Sequence, residues 1–247
     1  MKVLLSCDEN PFYYDFWPHA KKMWMNHIGI EPKLIFINKE KETEDFVDDI
    51  MYVKEIPNIP VHLQAQMARI FYTQRFQDEI CLVSDIDMFP ISKKFFDIEK
   101  ISNACDLESF FHLNPEVREF GQFPLCYYCG YGSLYAKIIK TDNWNKFLKD
   151  IIDMNFDTSL MGYNLPPHLR GKNLWFSDEL FMFKGIQDNK IKIVTNNEFI
   201  GQRRIDREAI TRMGYLSLIN SDVVDIHLPR PYKKYEKFID NILFTFV

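Results

Sequence analysis

Several function classes ask for features this sequence does not have. No uninterrupted apolar stretch of bilayer-spanning length occurs in its 247 residues, and a helix needs about 18 or more such residues to cross a membrane. Positive charge is in deficit, with 30 Lys and Arg against 35 Asp and Glu for a net charge of −5. A nucleic-acid binder needs a basic face to neutralise phosphates, so that class is excluded. There is no Asn-x-Ser/Thr sequon. The five cysteines, Cys7, Cys81, Cys105, Cys126 and Cys129, form an odd and scattered set. Both features fit a reducing cytoplasm better than a secretory lumen. Cys126-x-x-Cys129 lacks a second pair or a two-His partner, so burial is expected there and not zinc. No repeat, low-complexity tract or Gly/Ser-rich linker interrupts the chain, and one domain over 1–247 is the economical expectation. The start, MKVLLSCDEN, has three apolar residues in a row before turning polar, which predicts a first strand and not a signal peptide.

What the chain does have is apolar mass. The hydrophobic fraction is 47%, with 22 Phe and 12 Tyr. That composition predicts a packed globule, and its flat rings also suit stacking on sugars and bases. Strands are expected at Lys2 to Ser6, Leu34 to Ile37, Met51 to Ile56 and Ile80 to Ser84. A helix is expected over His62 to Gln77, because Leu63, Met67, Ile70 and Phe71 make one apolar stripe. Strand, helix and strand at these spacings imply a βαβ rhythm and a parallel sheet. A second helix is expected over Thr141 to Met154, capped by Thr141 or Asp142. A third runs Tyr232 to Phe246; its basic start allows a membrane-surface helix, but docking on the core of its own chain is the favoured expectation.

The chemistry is concentrated at Ser84-Asp85-Ile86-Asp87, which closes the apolar segment ICLVS. In an open parallel sheet, ligands bind beyond the carboxyl ends of the strands. Two carboxylates one residue apart repel unless something positive lies between them. A divalent Mn²⁺ or Mg²⁺ ion would do so, filling its remaining positions with phosphate oxygens and water.

The stretch QAQMARIFYTQRFQDEICLVSDIDMFP, Gln64 to Pro90, resembles the corresponding part of GT-A-fold, DxD-containing glycosyltransferases, nearest in pattern to the glycogenin and galactosyltransferase-like group. The resemblance implies an α/β fold: a single Rossmann-like GT-A domain with a mainly parallel, twisted central sheet flanked by helices. It implies a nucleotide-binding half over 1–90 and an acceptor-side half with the C-terminal helix over 91–247. Asp85 and Asp87 would be metal ligands, with Asp85 also facing the donor and Arg69 contacting its sugar or diphosphate. Asp8 and one of Tyr13 or Tyr14, in the loop after the first strand, would serve the nucleoside.

The segment Asp225-Ile226-His227-Leu228-Pro229-Arg230-Pro231-Tyr232 is similar to the family's late His motif, without its usual Gly and with compressed spacing. It implies His227 as third metal ligand and Arg230 or Lys233 as diphosphate partner. Trp175-Phe176-Ser177-Asp178-Glu179-Leu180 implies an acidic pair at a helix start. Ser177 is the expected cap; Asp178, with Glu179 second, is the expected base if the reaction inverts, whereas in the family's retaining members such carboxylates orient acceptor or donor. CYYCGYGSLY, Cys126 to Tyr135, resembles the segment that receives donor sugar and acceptor, with Gly130 and Gly132 letting backbone approach a ligand.

The implied activity is metal-dependent transfer of a sugar from a nucleoside-diphosphate donor, a UDP-sugar favoured, to a hydroxyl of a glycan or other acceptor. The alternatives are a nucleotidyltransferase acting on sugar phosphates and a non-catalytic carbohydrate-binding module. The acidic, aromatic DENPFYY disfavours the first, which needs a basic, Gly-rich loop there.

Overall fold

The computed structural model describes residues 1–113, 125–156, 174–196, 203–213 and 223–247. Ten strands run in chain order among them: β1 (Lys2–Asp8), β2 (Glu31–Asn38), β3 (Ile50–Lys54), β4 (Ile80–Val83), β5 (Met88–Pro90), β6 (Ser109–His112), β7 (Tyr128–Tyr131), β8 (Lys192–Thr195), β9 (Arg203–Ile205) and β10 (Val223–His227). Seven form a central sheet in the order β3-β2-β1-β4-β7-β6-β8. All its neighbours pair in parallel except β7, which runs against both β4 and β6. A smaller sheet has the order β5-β10-β9. The helices are α1 (Pro11–Tyr14), α2 (Trp17–Lys22), α3 (Val61–Phe71), α4 (Ile98–Ala104), α5 (Gly132–Ile139), α6 (Trp144–Asp153), α7 (Ser177–Asp188), α8 (Arg207–Met213) and α9 (Tyr232–Phe246). This is the mixed α/β architecture expected, a mostly parallel sheet covered by helices on both faces.

Side-chain alternation along the strands builds the two layers. Val3, Leu5 and Cys7 of β1, with Leu34 and Phe36 of β2, join one core that includes Ile239, Ile242 and Leu243 of α9. Leu4 of β1, with Ile35 and Ile37 of β2, joins the other, formed with Leu63, Met67, Ile70 and Phe71 of α3. The predicted stripe on α3 is therefore buried as expected, and the helix ends in a 3₁₀ turn, Tyr72–Phe76, instead of continuing to Gln77. Truncating one such fully buried Leu to Ala costs about 2–5 kcal/mol. The terminal helix docks on its own sheet, as expected. No helix among the described residues is long and apolar enough to cross a membrane.

Local details differ from expectation in three places. Asn143, and neither Thr141 nor Asp142, caps α6, its Oδ1 accepting from the Lys146 amide at 2.9 Å. Ser177 is the first residue of α7 and makes no capping bond; its buried hydroxyl has no hydrogen-bond partner among the described residues. Gly130 and Gly132 make room for the core and not for a ligand. A Cβ on Gly130 would lie 2.5 Å from the Phe110 ring, and one on Gly132 would lie 2.4 Å from the Phe76 carbonyl oxygen.

Candidate active site

β1 and β4 are parallel neighbours, with Leu4 beside Val83, so their carboxyl ends leave the sheet on the same edge. The chain reaches β2 on one side of β1 and β4 on the other, which makes this the crevice where an open α/β sheet binds ligands. A cleft of about 710 Å³ opens there. Ser6, Cys7 and Asp8 from β1 and Asp85 to Met88 after β4 form its floor. Tyr13, Arg69, Asp178, Glu179, Arg204, Asp206, Arg207, His227 and Arg230 stand among its walls.

One side of the cleft is organised by Arg69, a buried residue on α3. Its Nη1 donates to the Ser84 carbonyl at 2.9 Å and to Asp85 Oδ1, and its Nη2 donates to Asp178 Oδ2 at 2.9 Å. Helix geometry brings Arg69 here: Ile70 and Phe71 face the core, and the guanidinium leaves α3 beneath the end of β4. Burial pushes the Asp85 carboxyl up, but Arg69 overrides that and leaves it below the usual carboxylate range. At Asp178 burial wins over Arg69, and the pKa is raised. The other Asp178 oxygen accepts from the Glu179 amide at 2.9 Å.

The opposite side surrounds Asp87, and the small sheet makes it possible. β10 pairs antiparallel with β5, placing His227 beside Met88, and the Leu228 amide donates to the Asp87 carbonyl at 2.9 Å. Three cationic or imidazole groups converge on Asp87 Oδ2: Arg230 Nε at 3.2 Å, Arg207 Nη2 at 3.3 Å and His227 Nε2 at 3.5 Å. Arg230 also hydrogen-bonds the Tyr13 hydroxyl and lies over that ring, 4.5 Å from its centroid. Burial raises the Asp87 pKa, and His227 and Arg230 only partly offset it.

At His227 burial pushes the imidazole down, while Asp206 first, then Asp87 and Asp85, push it up and prevail. Asp206 Oδ1 lies 3.1 Å from Nδ1, and Arg207 Nη2 hydrogen-bonds Nε2. In the neutral ring, a proton on Nδ1 facing Asp206 leaves the Nε2 lone pair toward Asp87 and Arg207.

Those partners bear on whether a divalent ion fits. Asp87 Oδ2 and His227 Nε2 are 3.5 Å apart, close enough for bonds of about 2.1 Å to meet at one ion. A carboxylate and a neutral imidazole make a mixed O/N donor set; the carboxylate suits Mn²⁺ or Mg²⁺, and the imidazole fits the softer Mn²⁺ better than Mg²⁺. The Asp206 carboxylate behind Nδ1 stands where the outer partner of a metal-binding histidine would stand. Asp85, two residues away, would complete the set by leaving Arg69. While it holds Arg69, no group of three or more His, Cys, Asp and Glu among the described residues is gathered to hold an ion. The donor set fits; its third member is turned aside.

Of the expected residues, the structure thus gathers Asp8, Tyr13, Arg69, Asp85, Asp87, Asp178, Glu179, His227 and Arg230 in one cleft. Tyr14 instead packs on Phe36, ring centroids 4.4 Å apart. Lys233 is exposed on the first turn of α9 and is not part of the cleft wall, so of the two expected cations it is Arg230 that lies beside Asp87. Sequence reasoning missed Arg204, Asp206 and Arg207. The dense charge pattern Arg203-Arg204-Ile205-Asp206-Arg207-Glu208 was the available signal. Arg204 grips the fully buried Asp225 with Nε and Nη2, each at 2.9 Å, and sends Nη2 to Cys126 Sγ at 3.3 Å. Also missed was the wall formed by His62 and Trp175, rings 5.9 Å apart, with Gln66 Nε2 donating to the Trp175 carbonyl at 2.8 Å.

No protein-family model matches the chain, and no curated protein does. Solved structures do. A glycosyltransferase involved in glycosylating the major capsid of the virus PBCV-1 is 11% identical over 97% of this chain and 98% of its own, with a TM-score of 0.44. Galactosyltransferase LgtC, in complex with donor and acceptor sugar analogs, is 10% identical over 100% of this chain and 96% of its own, at 0.47. A mutant of Drosophila β-1,4-galactosyltransferase 7, in complex with manganese, UDP-Gal and xylobiose, is 11% identical over 94% of this chain and 72% of its own, at 0.44. All three are glycosyltransferases. At identities near one residue in ten, what they bind is theirs, and the chemistry of this chain rests on its own cleft.

Proposed function

We propose that the protein is a metal-dependent glycosyltransferase that moves a sugar from a nucleoside-diphosphate donor, a UDP-sugar favoured, to a hydroxyl of a glycan or other acceptor. One observation carries this: the Asp87 carboxylate and the His227 imidazole, 3.5 Å apart, face each other at the carboxyl end of the central sheet, with Arg230 3.2 Å from the same carboxylate. Carboxylate, imidazole and guanidinium together are what a cation and a diphosphate need.

Asp87, His227 and, once released from Arg69, Asp85 would hold Mn²⁺ or Mg²⁺, which supplies Lewis-acid stabilisation of the departing diphosphate. Arg230, braced against Tyr13, adds fixed positive charge on the diphosphate side. Such preorganised charge favours the transition state because it needs no reorganisation when the glycosidic bond breaks. Asp8 and Tyr13 line the end of β1, where the nucleoside is expected. Both Asp178 oxygens are engaged, by Arg69 and by the Glu179 amide. Its part is to position Arg69, and Glu179, half-buried on the cleft wall, stands beside it as the second candidate to accept the proton of an acceptor hydroxyl.

Calorimetric titration of UDP and GDP with and without Mn²⁺ tests the reading. Nucleotide binding that requires Mn²⁺ and is lost in a folded Asp87→Asn variant is the expected result. Binding of free glycans with no nucleotide affinity would point to a carbohydrate-binding module and overturn it.

A further inference from the structure

Arg207 belongs to no motif in the sequence, yet it occupies the most contested position in the cleft. One nitrogen, Nη2, makes both contacts: it lies 3.3 Å from Asp87 Oδ2 and hydrogen-bonds His227 Nε2. Those two atoms are the donors that an ion at this site would use, and the gap between them is 3.5 Å. A guanidinium nitrogen and a divalent ion cannot share that gap. Arg230 differs: it joins Asp87 to the Tyr13 hydroxyl.

Arg207 also has somewhere to go. Its side chain is 27% exposed, and it lies on the wall of the same cleft as Arg230. Charge balance gives the direction. Asp85 and Asp87 together match a divalent ion. The diphosphate of a nucleotide sugar then brings two further negative charges, which two guanidiniums, Arg207 and Arg230, would match. Arginine suits this because its fork of donors pairs with phosphate oxygens as readily as with a carboxylate.

We infer that Arg207 is a cation stand-in: in the ion-free chain it fills the gap between Asp87 and His227, and on metal loading it is displaced onto the donor diphosphate. This rests on the proposed metal role of Asp87 and His227. Its consequence is a two-way coupling. Arg207 weakens metal binding to the free chain and strengthens nucleotide binding to the metal-loaded one, so metal and donor bind in a preferred order. The neighbouring Asp206 stays on Nδ1 throughout and keeps the Nε2 lone pair facing the gap.

The test compares Arg207→Gln, Arg230→Gln and the unaltered chain. Mn²⁺ affinity without nucleotide is read from the electron paramagnetic resonance signal of free Mn²⁺, and UDP affinity at saturating Mn²⁺ is read by calorimetry. Arg207→Gln is expected to tighten Mn²⁺ binding about tenfold, ~1.4 kcal/mol, and to weaken UDP binding by a similar factor. Arg230→Gln should weaken UDP binding but tighten Mn²⁺ binding much less, since it clears no gap. Equal gains in Mn²⁺ affinity from both variants would reduce Arg207 to one nearby charge among others and overturn the inference, as would an Arg207→Gln chain with unchanged Mn²⁺ or UDP affinity. If neither the unaltered chain nor Arg207→Gln binds Mn²⁺, the metal reading itself fails and takes this inference with it.

Discussion

Replacing Arg69 by methionine removes a buried guanidinium while keeping most of the apolar stem. Three hydrogen bonds disappear, to the Ser84 carbonyl, Asp85 and Asp178. The cost falls mainly on the partners. The Asp178 side chain is 4% exposed, so its carboxylate would be left buried with only the Glu179 amide. Deleting one partner of a buried ion pair costs about 3–5 kcal/mol. The Asp85 side chain is 37% exposed and can turn to water, so it adds only the roughly 0–1 kcal/mol of a solvent-screened pair. The expected loss is about 4 kcal/mol, which lowers the melting temperature by roughly 8–16 °C in a chain of this size. Urea unfolding followed by tryptophan fluorescence measures it, with slopes checked for constancy. Adding Asp178→Asn to Arg69→Met replaces the stranded charge with a neutral amide and should recover about half of the loss. A loss below about 1 kcal/mol, or a double variant no more stable than Arg69→Met, would refute the account of Arg69 as a buried bridge and leave it an ordinary helix charge.

Three further outcomes follow from other parts of the fold. Asp225→Asn weakens the two-pronged pairing of a fully buried carboxylate with Arg204, and thermal melting should show a loss of about 3 kcal/mol, the scale of a broken buried pair. Gly132→Ala drives a methyl against the Phe76 and Thr73 carbonyl oxygens, both backbone atoms that cannot swing aside; chemical denaturation should show at least the roughly 1–3 kcal/mol typical of overpacking. Asp49 contributes to the pH dependence. Burial pushes its carboxyl up, but Lys21 at 2.6 Å and Lys33 at 2.7 Å outweigh that and hold it below the ordinary value. A depressed folded-state pKa adds stability above the unfolded value of about 3.9, stability that is lost as pH falls through the folded value. Asp49→Asn should therefore flatten the acid limb of the stability profile, and an unchanged limb would contradict the pairing.

What could be read from the residues, and what could not, divides by sequence distance. α3 was legible because Leu63, Met67, Ile70 and Phe71 repeat within one helix face. β1 and β4 were legible because their apolar runs end in polar turns. The acidic doublet stood out because two like charges at a strand end need a local explanation. Arg207 is different. Its meaning comes from Asp87, 120 positions earlier, and from a pairing of β10 with β5 that involves only three residues of the latter. Strands that short have no period to detect. Gly130 and Gly132 were misassigned for a related reason: beside tyrosines they suggest an approach to a ligand, and only the packed structure reveals Phe110 and the Phe76 carbonyl filling the space. The cap of α6 went to Asn143 because it stands three residues before the amide it satisfies, a choice among adjacent polar residues that composition does not rank.

The antiparallel join between Met88–Pro90 and the late strand ending in His227 has a consequence for how the chain matures. Asp85 and Asp87 are made early and His227 late, so under the proposed metal role neither half would supply the full donor set. A refolding chain would then gain manganese affinity only when that last ribbon zips, and the ion would report completion of the fold, distinguishing finished molecules from those with a formed central sheet and an open end.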